Sequence, residues 1–141
     1  PLGTAGALSL LKGTNKNPLL VINGDLLFDF DLVSLIKFHI KCKADSTILV
    51  KTHAIQNPFG VVKSKNNLVL EFNEKPTYHS HINTGIYALN TSMLKLIEKN
   101  KKISMVDFLK KIISKNKKVY ALSTSDSWND LGSLKQFSRY I

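Results

Sequence analysis

Hydrophobic and polar positions along the chain change period several times, and each change marks an element. Leu19 to Ile22 is a continuous apolar run, β-branched toward its end, which predicts a strand covered on both faces of a parallel sheet. The run stops abruptly at Asn23-Gly-Asp25. Apolar residues then recur at helical spacing as Leu32, Leu35, Ile36 and Ile40, predicting a helix over 32–42 with Asp29 or Asp31 as its cap. Ser46 to Lys51, around Thr-Ile-Leu-Val, reads as another strand. Strand, helix and strand in this order predict a βαβ unit with a right-handed crossover.

From Phe59 the pattern changes. Phe59-Gly-Val-Val62 and Leu68 to Phe72 flank the polar stretch Ser64 to Asn67, which predicts a β-hairpin. Ile82 to Leu89 is a further strand with Gly85 in its interior, and Ser92 is placed to cap a short helix over 93–99. Val106, Leu109, Ile112 and Ile113 predict a helix over 105–115 with one buried face, followed by a strand over 118–122. Trp128 to Gly132 leads into a terminal helix from Ser133. Ahead of the first strand, a glycine turn with Thr4 as N-cap opens a helix over 5–12, and 13–18 is a polar loop.

Composition narrows the class. The 141 residues are 43% hydrophobic and 21% charged, a balance of globular and not disordered chains. No apolar run reaches the length of a membrane span, and no basic-then-apolar leader opens the sequence. The single cysteine, Cys42, excludes an internal disulfide framework and a cysteine-based zinc cluster, which fits a cytoplasmic protein. A formal charge of +10 raises the question of nucleic acid. Nine lysines against Glu98 and Asp107 fall between Lys95 and Lys118, however, on a segment with helical apolar spacing. They read as the solvated face of a helix, and the lone arginine, Arg139, argues further against base readout. No nucleic-acid partner and no membrane partner are expected.

Candidate chemistry lies at the strand ends. In an open α/β sheet ligands bind beyond the carboxyl ends of strands, so Asp25, delivered there by the Gly24 turn, is placed to hold a metal. A second carboxylate, Asp130, sits between a large aromatic anchor, Trp128, and a glycine turn. Two aspartates at strand ends suit Mg²⁺, leaving its remaining positions to phosphate oxygens. In the turn forced by Pro76, Glu74 and Lys75 both reach one cleft, carboxylate for hydroxyls and ammonium for phosphate. Asn83 offers an amide beside Gly85, and a glycine within a strand marks a close approach of backbone or ligand. The opening loop around Gly3, Thr4 and Gly6 can present backbone N–H groups to an anion or a base edge. His39 and His53 have no partner at ligand spacing and read as surface or packing residues. The set implies a nucleotide and a sugar phosphate meeting at a metal.

The motifs Leu2-Gly-Thr-Ala-Gly-Ala-Leu8, Asn23-Gly-Asp25, Phe59-Gly-Val-Val62, Glu74-Lys-Pro76, Asn83-Thr-Gly-Ile-Tyr87 and Trp128-Asn-Asp-Leu-Gly132 occur in the order seen in sugar-1-phosphate nucleotidyltransferases. The chain resembles their mannose-1-phosphate guanylyltransferase-like branch over essentially its whole length. The resemblance implies an α/β, Rossmann-like (GT-A-like) three-layer sandwich with a mixed sheet. It implies transfer of a nucleotidyl group, GMP in this branch, from a nucleoside triphosphate to a sugar 1-phosphate, releasing pyrophosphate. By the same resemblance Asp25 and Asp130 bind the metal and act in catalysis with Lys75, which holds the sugar phosphate. Glu74, Asn83 and Gly85 contact the sugar, while Gly3, Thr4, Gly6 and Gly24 belong to the nucleotide side.

One departure shapes the expectation. The family's first strand and its Gly-Gly-x-Gly-Thr-Arg loop with a downstream lysine, which grip the triphosphate, have no match in this chain. Residues 1–141 are therefore expected to be the C-terminal part of a single nucleotidyltransferase domain, inactive alone, with self-association covering exposed strand edges. The competing expectation is a regulatory module whose pocket senses a nucleotide sugar without turning it over. The sequence leaves open which base and which sugar are used.

Overall fold

The computed structural model describes residues 2–11 and 18–132. The terminal helix expected from Ser133, the loop at 12–17 and Arg139 lie outside the described residues. The elements, in chain order, are α1 (Gly3–Gly6), a 3₁₀ turn (Ala7–Leu10), β1 (Leu19–Ile22), β2 (Leu26–Phe28), α2 (Leu32–Lys41), β3 (Ser46–Gln56), β4 (Val61–Lys65), β5 (Leu68–Asn73), β6 (Thr77–Leu89), a second 3₁₀ turn (Thr91–Leu96), α3 (Met105–Ser114), β7 (Val119–Thr124) and β8 (Trp128–Asp130).

The main sheet has the order β1-β6-β3-β7. β6 is antiparallel to both of its neighbours, and β3 pairs in parallel with β7, so the sheet is mixed. The expected βαβ unit is altered in one respect: β1 and β3 run the same way but β6 lies between them. Among the described residues β1 is correspondingly an outer strand, half-buried with Ile22 exposed. Val21 packs toward the α3 layer and Leu20 toward the α2 layer, so both faces are covered as its apolar run predicts, but in a mixed and not a parallel sheet.

Side-chain alternation along β6 divides the core into two layers. Ile86 and Ala88 pack with Leu35 of α2 and Leu49, whereas Tyr87 and Leu89 pack with Phe108, Leu109 and Ile112 of α3. Helices therefore cover both faces, giving the three-layer α/β sandwich. Each of the large fully buried side chains contributes about 2 kcal/mol by removal from water.

Both long helices are rotated slightly from the predicted faces. In α2 the inward positions are Leu35 and His39, one turn apart, and Ile40 is 59% exposed. A polar residue can take that place because His39 is fully paired: Nδ1 lies 2.8 Å from Thr47 Oγ1 and Nε2 3.1 Å from Asn90 Oδ1. In α3 the buried set is Met105, Phe108, Leu109 and Ile112, while Val106 and Ile113 face water. Asp31 caps α2 through Val33 N–H and Ser104 caps α3 through Asp107 N–H. The helix predicted over 93–99 is instead a 3₁₀ turn without a side-chain cap.

β3 and β6 are longer than their sequence patterns suggest, because their outer ends pair with each other from Thr52↔His81 to Gln56↔Thr77. This ribbon and the β4–β5 hairpin form an exposed arm. The hairpin turns at Asn66 and Asn67, both at positive φ, as a tight reversal requires. Phe59 and Phe72 are 74% and 73% exposed there.

Candidate functional site

The two aspartates are brought together by strands that the sequence pattern does not reveal. β2 pairs antiparallel with β8, setting Leu26 opposite Asp130 and Phe28 opposite Trp128. Leu131 N–H donates to the Asp25 carbonyl at 2.8 Å, closing the ribbon at that end. Gly132 N–H donates to Asp130 Oδ1, also at 2.8 Å. A Cβ on Gly132 would stand 2.9 Å from Asp25 Oδ2 and 3.0 Å from Asp130 Oδ1. Both carboxylates thus converge over a residue with no side chain. Among the described residues no third acidic, histidine or cysteine side chain joins them as a metal-ligand group. Two exposed, like-charged carboxylates that converge on one point fit Mg²⁺, which keeps several positions for water and phosphate.

β6 carries a bulge beside this pair. β3 residues Ile48 and Val50 align with Tyr87 and Asn83, so Leu49 alone faces Thr84, Gly85 and Ile86. Gly85 has φ +81°, and its missing Cβ would stand 2.6 Å from Asn23 Nδ2. Only glycine fits on both counts. The bulge is closed from within: Asn83 Oδ1 accepts from Gly85 N–H at 3.0 Å and Asn83 Nδ2 donates to the Tyr87 hydroxyl at 2.8 Å. Thr84 Oγ1 donates to the Leu49 carbonyl. Burial raises the Tyr87 phenol above its ordinary value, with the Asn83 hydrogen bond opposing in part. Asn83 therefore shapes the strand itself, with one donor and one acceptor site still uncommitted.

Glu74 and Lys75 lie in the turn before β6, both exposed. Glu74 Oε2 would be 2.9 Å from a Cβ on Gly60, so the Phe59-Gly motif leaves room for this carboxylate. Lys75 has φ +47°, a conformation unusual for a side-chain-bearing residue. The described contacts do not join either residue to the aspartates. The turn is held at the base of the arm by Asn57 N–H on the Pro76 carbonyl.

The opening loop differs from expectation. α1 is a single turn with Leu2 at its N-cap, and Thr4 does not cap it. Thr4 Oγ1 instead accepts from Met105 N–H at 2.8 Å, at the start of α3. Segment 2–6 lies against Lys101 to Ile103, joined by Ala5 N–H on Ile103 O and Ile103 N–H on Leu2 O. A Cβ on Gly3 would meet Ile103 O at 2.6 Å, and one on Gly6 would meet Lys101 O at 2.9 Å. Both glycines thus have a packing reason to be glycine. Gly24 does not, since nothing lies within 4 Å of its missing Cβ.

The lysine-rich segment is partly neutralised. Glu98 pairs with Lys101 at 2.9 Å and with Lys111 at 3.4 Å, and these hydrogen bonds hold its carboxyl below the ordinary value. Asn23 and Gly132, the residues that frame the bulge and the carboxylate pair, stand in the sequence motifs but receive no role of their own there. Their signal is positional: Asn23 stands two residues before Asp25 and Gly132 two residues after Asp130.

Comparison with known proteins places this geometry in context. The family model for nucleotidyl transferase matches residues 1–140. A relative named probable mannose-1-phosphate guanylyltransferase 3, from Arabidopsis thaliana, is 34% identical over 145 residues, covering 97% of this chain and 44% of the relative. D-glycero-alpha-D-manno-heptose 1-phosphate guanylyltransferase from Aneurinibacillus thermoaerophilus is 35% identical over 136 residues, covering 94% of this chain and 58% of the relative. Among solved structures, HddC from Yersinia pseudotuberculosis complexed with GMP-PN has a TM-score of 0.68 at 23% identity, covering 99% of this chain and 61% of that one. The chain spans 38–44% of the length of the mannose-1-phosphate guanylyltransferases of Arabidopsis and Drosophila melanogaster that it matches.

Proposed function

The chain belongs to the nucleotidyl transferase family, and from that premise we propose that it forms the C-terminal part of a catalytic domain that transfers a nucleotidyl group, GMP, from a nucleoside triphosphate to a sugar 1-phosphate. The observation that carries this reading is the convergence of Asp25 and Asp130 over Gly132. The guanylyltransferase names of the relatives and the GMP-PN complex support guanine as the base.

In this reading Asp25 and Asp130 hold Mg²⁺, which when bound supplies charge neutralisation for the α-phosphate and the departing pyrophosphate. Lys75 holds the sugar phosphate, and Glu74 and Asn83 orient sugar hydroxyls beside Gly85, so that a phosphate oxygen faces the α-phosphorus in line. Gly3, Thr4, Gly6 and Gly24 lie on the nucleotide side. The two carboxylates would leave further coordination positions for phosphate oxygens to fill.

No helix among the described residues is long and apolar enough to cross a membrane. Self-association would be served by the apolar arm carrying Phe59 and Phe72, and sedimentation of arm variants tests it.

The test is pyrophosphate release with Mg²⁺ over four nucleoside triphosphates and a panel of sugar 1-phosphates, run on this chain and on the full-length protein. We expect turnover by the full-length protein, loss of turnover in its Asp25→Asn variant, and little or none from the chain alone, which has no match to the arginine-bearing triphosphate loop. A nucleotide sugar that raises the thermal midpoint of a full-length protein without turnover would favour the sensing module instead.

A further inference from the structure

Each aspartate stands two residues after a group that hydrogen-bonds the β6 bulge. Asn23 N–H donates to the Gly85 carbonyl at 3.0 Å, and Trp128 Nε1–H donates to the Thr84 carbonyl at 2.9 Å. Adjacent peptides of one strand therefore fix both arms of the β2–β8 ribbon. The first bond is backbone and belongs to the chain leaving β1. The second is made by a side chain, and β8 itself pairs only with β2 among the described residues. Elsewhere on its approach, the β7–β8 loop is held by Lys51 Nζ on the Asp126 carbonyl at 2.6 Å, in an exposed position.

We propose that Trp128 is a positioning residue for the cation between Asp25 and Asp130. Its indole N–H is the half-buried latch that anchors β8, and with it the Asp130 carboxylate beside Asp25, to the β6 bulge. This inference rests on the metal-binding role proposed for the two aspartates. The latch works because Gly85 adopts φ +81°: the bulge interrupts the ladder, which leaves the Thr84 carbonyl to the indole. Without the N–H, the indole body would still fill its site, but among the described contacts β8 would be tied to the main sheet only through the β2 ladder, with its Leu131–Asp25 and Asp29–Ser127 backbone bonds, and through the β7–β8 loop. Asp130 would then be held beside Asp25 by the β2–β8 ribbon alone, with its second anchor on β6 lost, and rigid positioning of ligands is what sets metal affinity.

The experiment measures Mn²⁺ binding to the full-length protein by the electron paramagnetic resonance signal of free Mn²⁺, with thermal unfolding of the metal-free protein alongside. Trp128→Phe keeps an aromatic ring and removes the donor. Its expected result is affinity weakened roughly three- to tenfold, the net worth of one hydrogen bond, with a metal-free thermal midpoint close to the parent. Asp25→Asn is expected to lose the site. Unchanged affinity in Trp128→Phe together with loss in Asp25→Asn overturns the latch and leaves the metal reading standing. Full affinity in Asp25→Asn overturns the metal reading, and the latch with it. Where Trp128→Phe does not fold, ¹⁵N-tryptophan labelling of the parent protein decides: the Trp128 indole N–H resonance shifts on adding Mg²⁺ if the latch senses the cation, and an unmoved resonance overturns the proposal.

Discussion

The side-chain amide of Asn23 lies across the open face of Gly85, its Nδ2 2.6 Å from where a Cβ on that glycine would stand. Gly85→Ala therefore meets two penalties, a strained positive φ and a steric clash, and we expect a loss of about 2–4 kcal/mol in urea unfolding. Asn23→Ala removes the clash and not the backbone strain. The double variant should recover part of the loss, and a strictly additive cycle would show that the contact does not limit the position.

Gly132 is constrained by charge and not by backbone. Gly132→Ala would push a methyl group to within 3.0 Å of both the Asp25 and Asp130 carboxylates. The expected outcome is at least about tenfold weaker Mn²⁺ binding, with metal-free stability changed by less than roughly 0.5 kcal/mol. Calorimetric titration beside thermal unfolding separates the two effects.

Lys75 combines a proposed phosphate contact with a backbone at φ +47°. Lys75→Gly relieves the conformation while deleting the charge, so stability should rise by about 0.5–1 kcal/mol as kcat/KM for the sugar phosphate falls roughly ten- to a hundredfold. Lys75→Ala should lose activity without the gain. If both variants lose stability equally, the positive φ is not a strain that glycine relieves.

His39 is a staple between α2, β3 and the end of β6. Asn90 Nδ2 donates to the Ala44 carbonyl at 2.8 Å, so Asn90 Oδ1 accepts from His39 Nε2–H and the Thr47 hydroxyl donates to Nδ1. His39→Ala leaves Thr47 and Asn90 without this partner and opens a cavity. We expect about 2–4 kcal/mol of destabilisation in urea, with an unchanged m-value.

Acid should loosen the exposed face of the lysine-rich segment. Hydrogen bonds from Lys101 and then Lys111 lower the Glu98 carboxyl, so its contribution is complete above the ordinary carboxylate range and is lost as pH falls through the lowered value. The thermal midpoint should fall with pH in that window, and Glu98→Gln should flatten the fall. Added salt should have the same sign, because all three groups are solvent-exposed to a substantial degree.

Legibility followed the range of the interactions. Helix α2 and its Asp31 cap, the β4–β5 hairpin and the β1 run are local patterns, and the structure holds them nearly where periodicity put them. The insertion of β6 between β1 and β3 is a long-range choice that periodicity does not encode. β2 and β8 have three residues each, too short for an alternation signal, yet they align the candidate carboxylates. Asp25 and Asp130 were recognisable by type and by their glycine neighbours. The empty volume at Gly132 and the positive φ at Gly85 became visible only once the strands were paired. The inward turn of His39 depended on Thr47 and Asn90, the latter fifty-one residues away in sequence.

The arm has a consequence for how the molecule opens. Every residue from Thr52 to Gln56 and from Thr77 to His81 is exposed, whereas Thr84 to Leu89 of the same β6 strand is buried. One strand therefore spans two regimes of local stability. Amide hydrogens in its outer half should exchange through frequent small openings, and those in its inner half only when the whole sheet unfolds. Glu74 and Lys75 stand on the fast-exchanging side and the aspartates beside the slow one, so substitutions in the arm can drift in sequence without unfolding the sheet that holds the carboxylates.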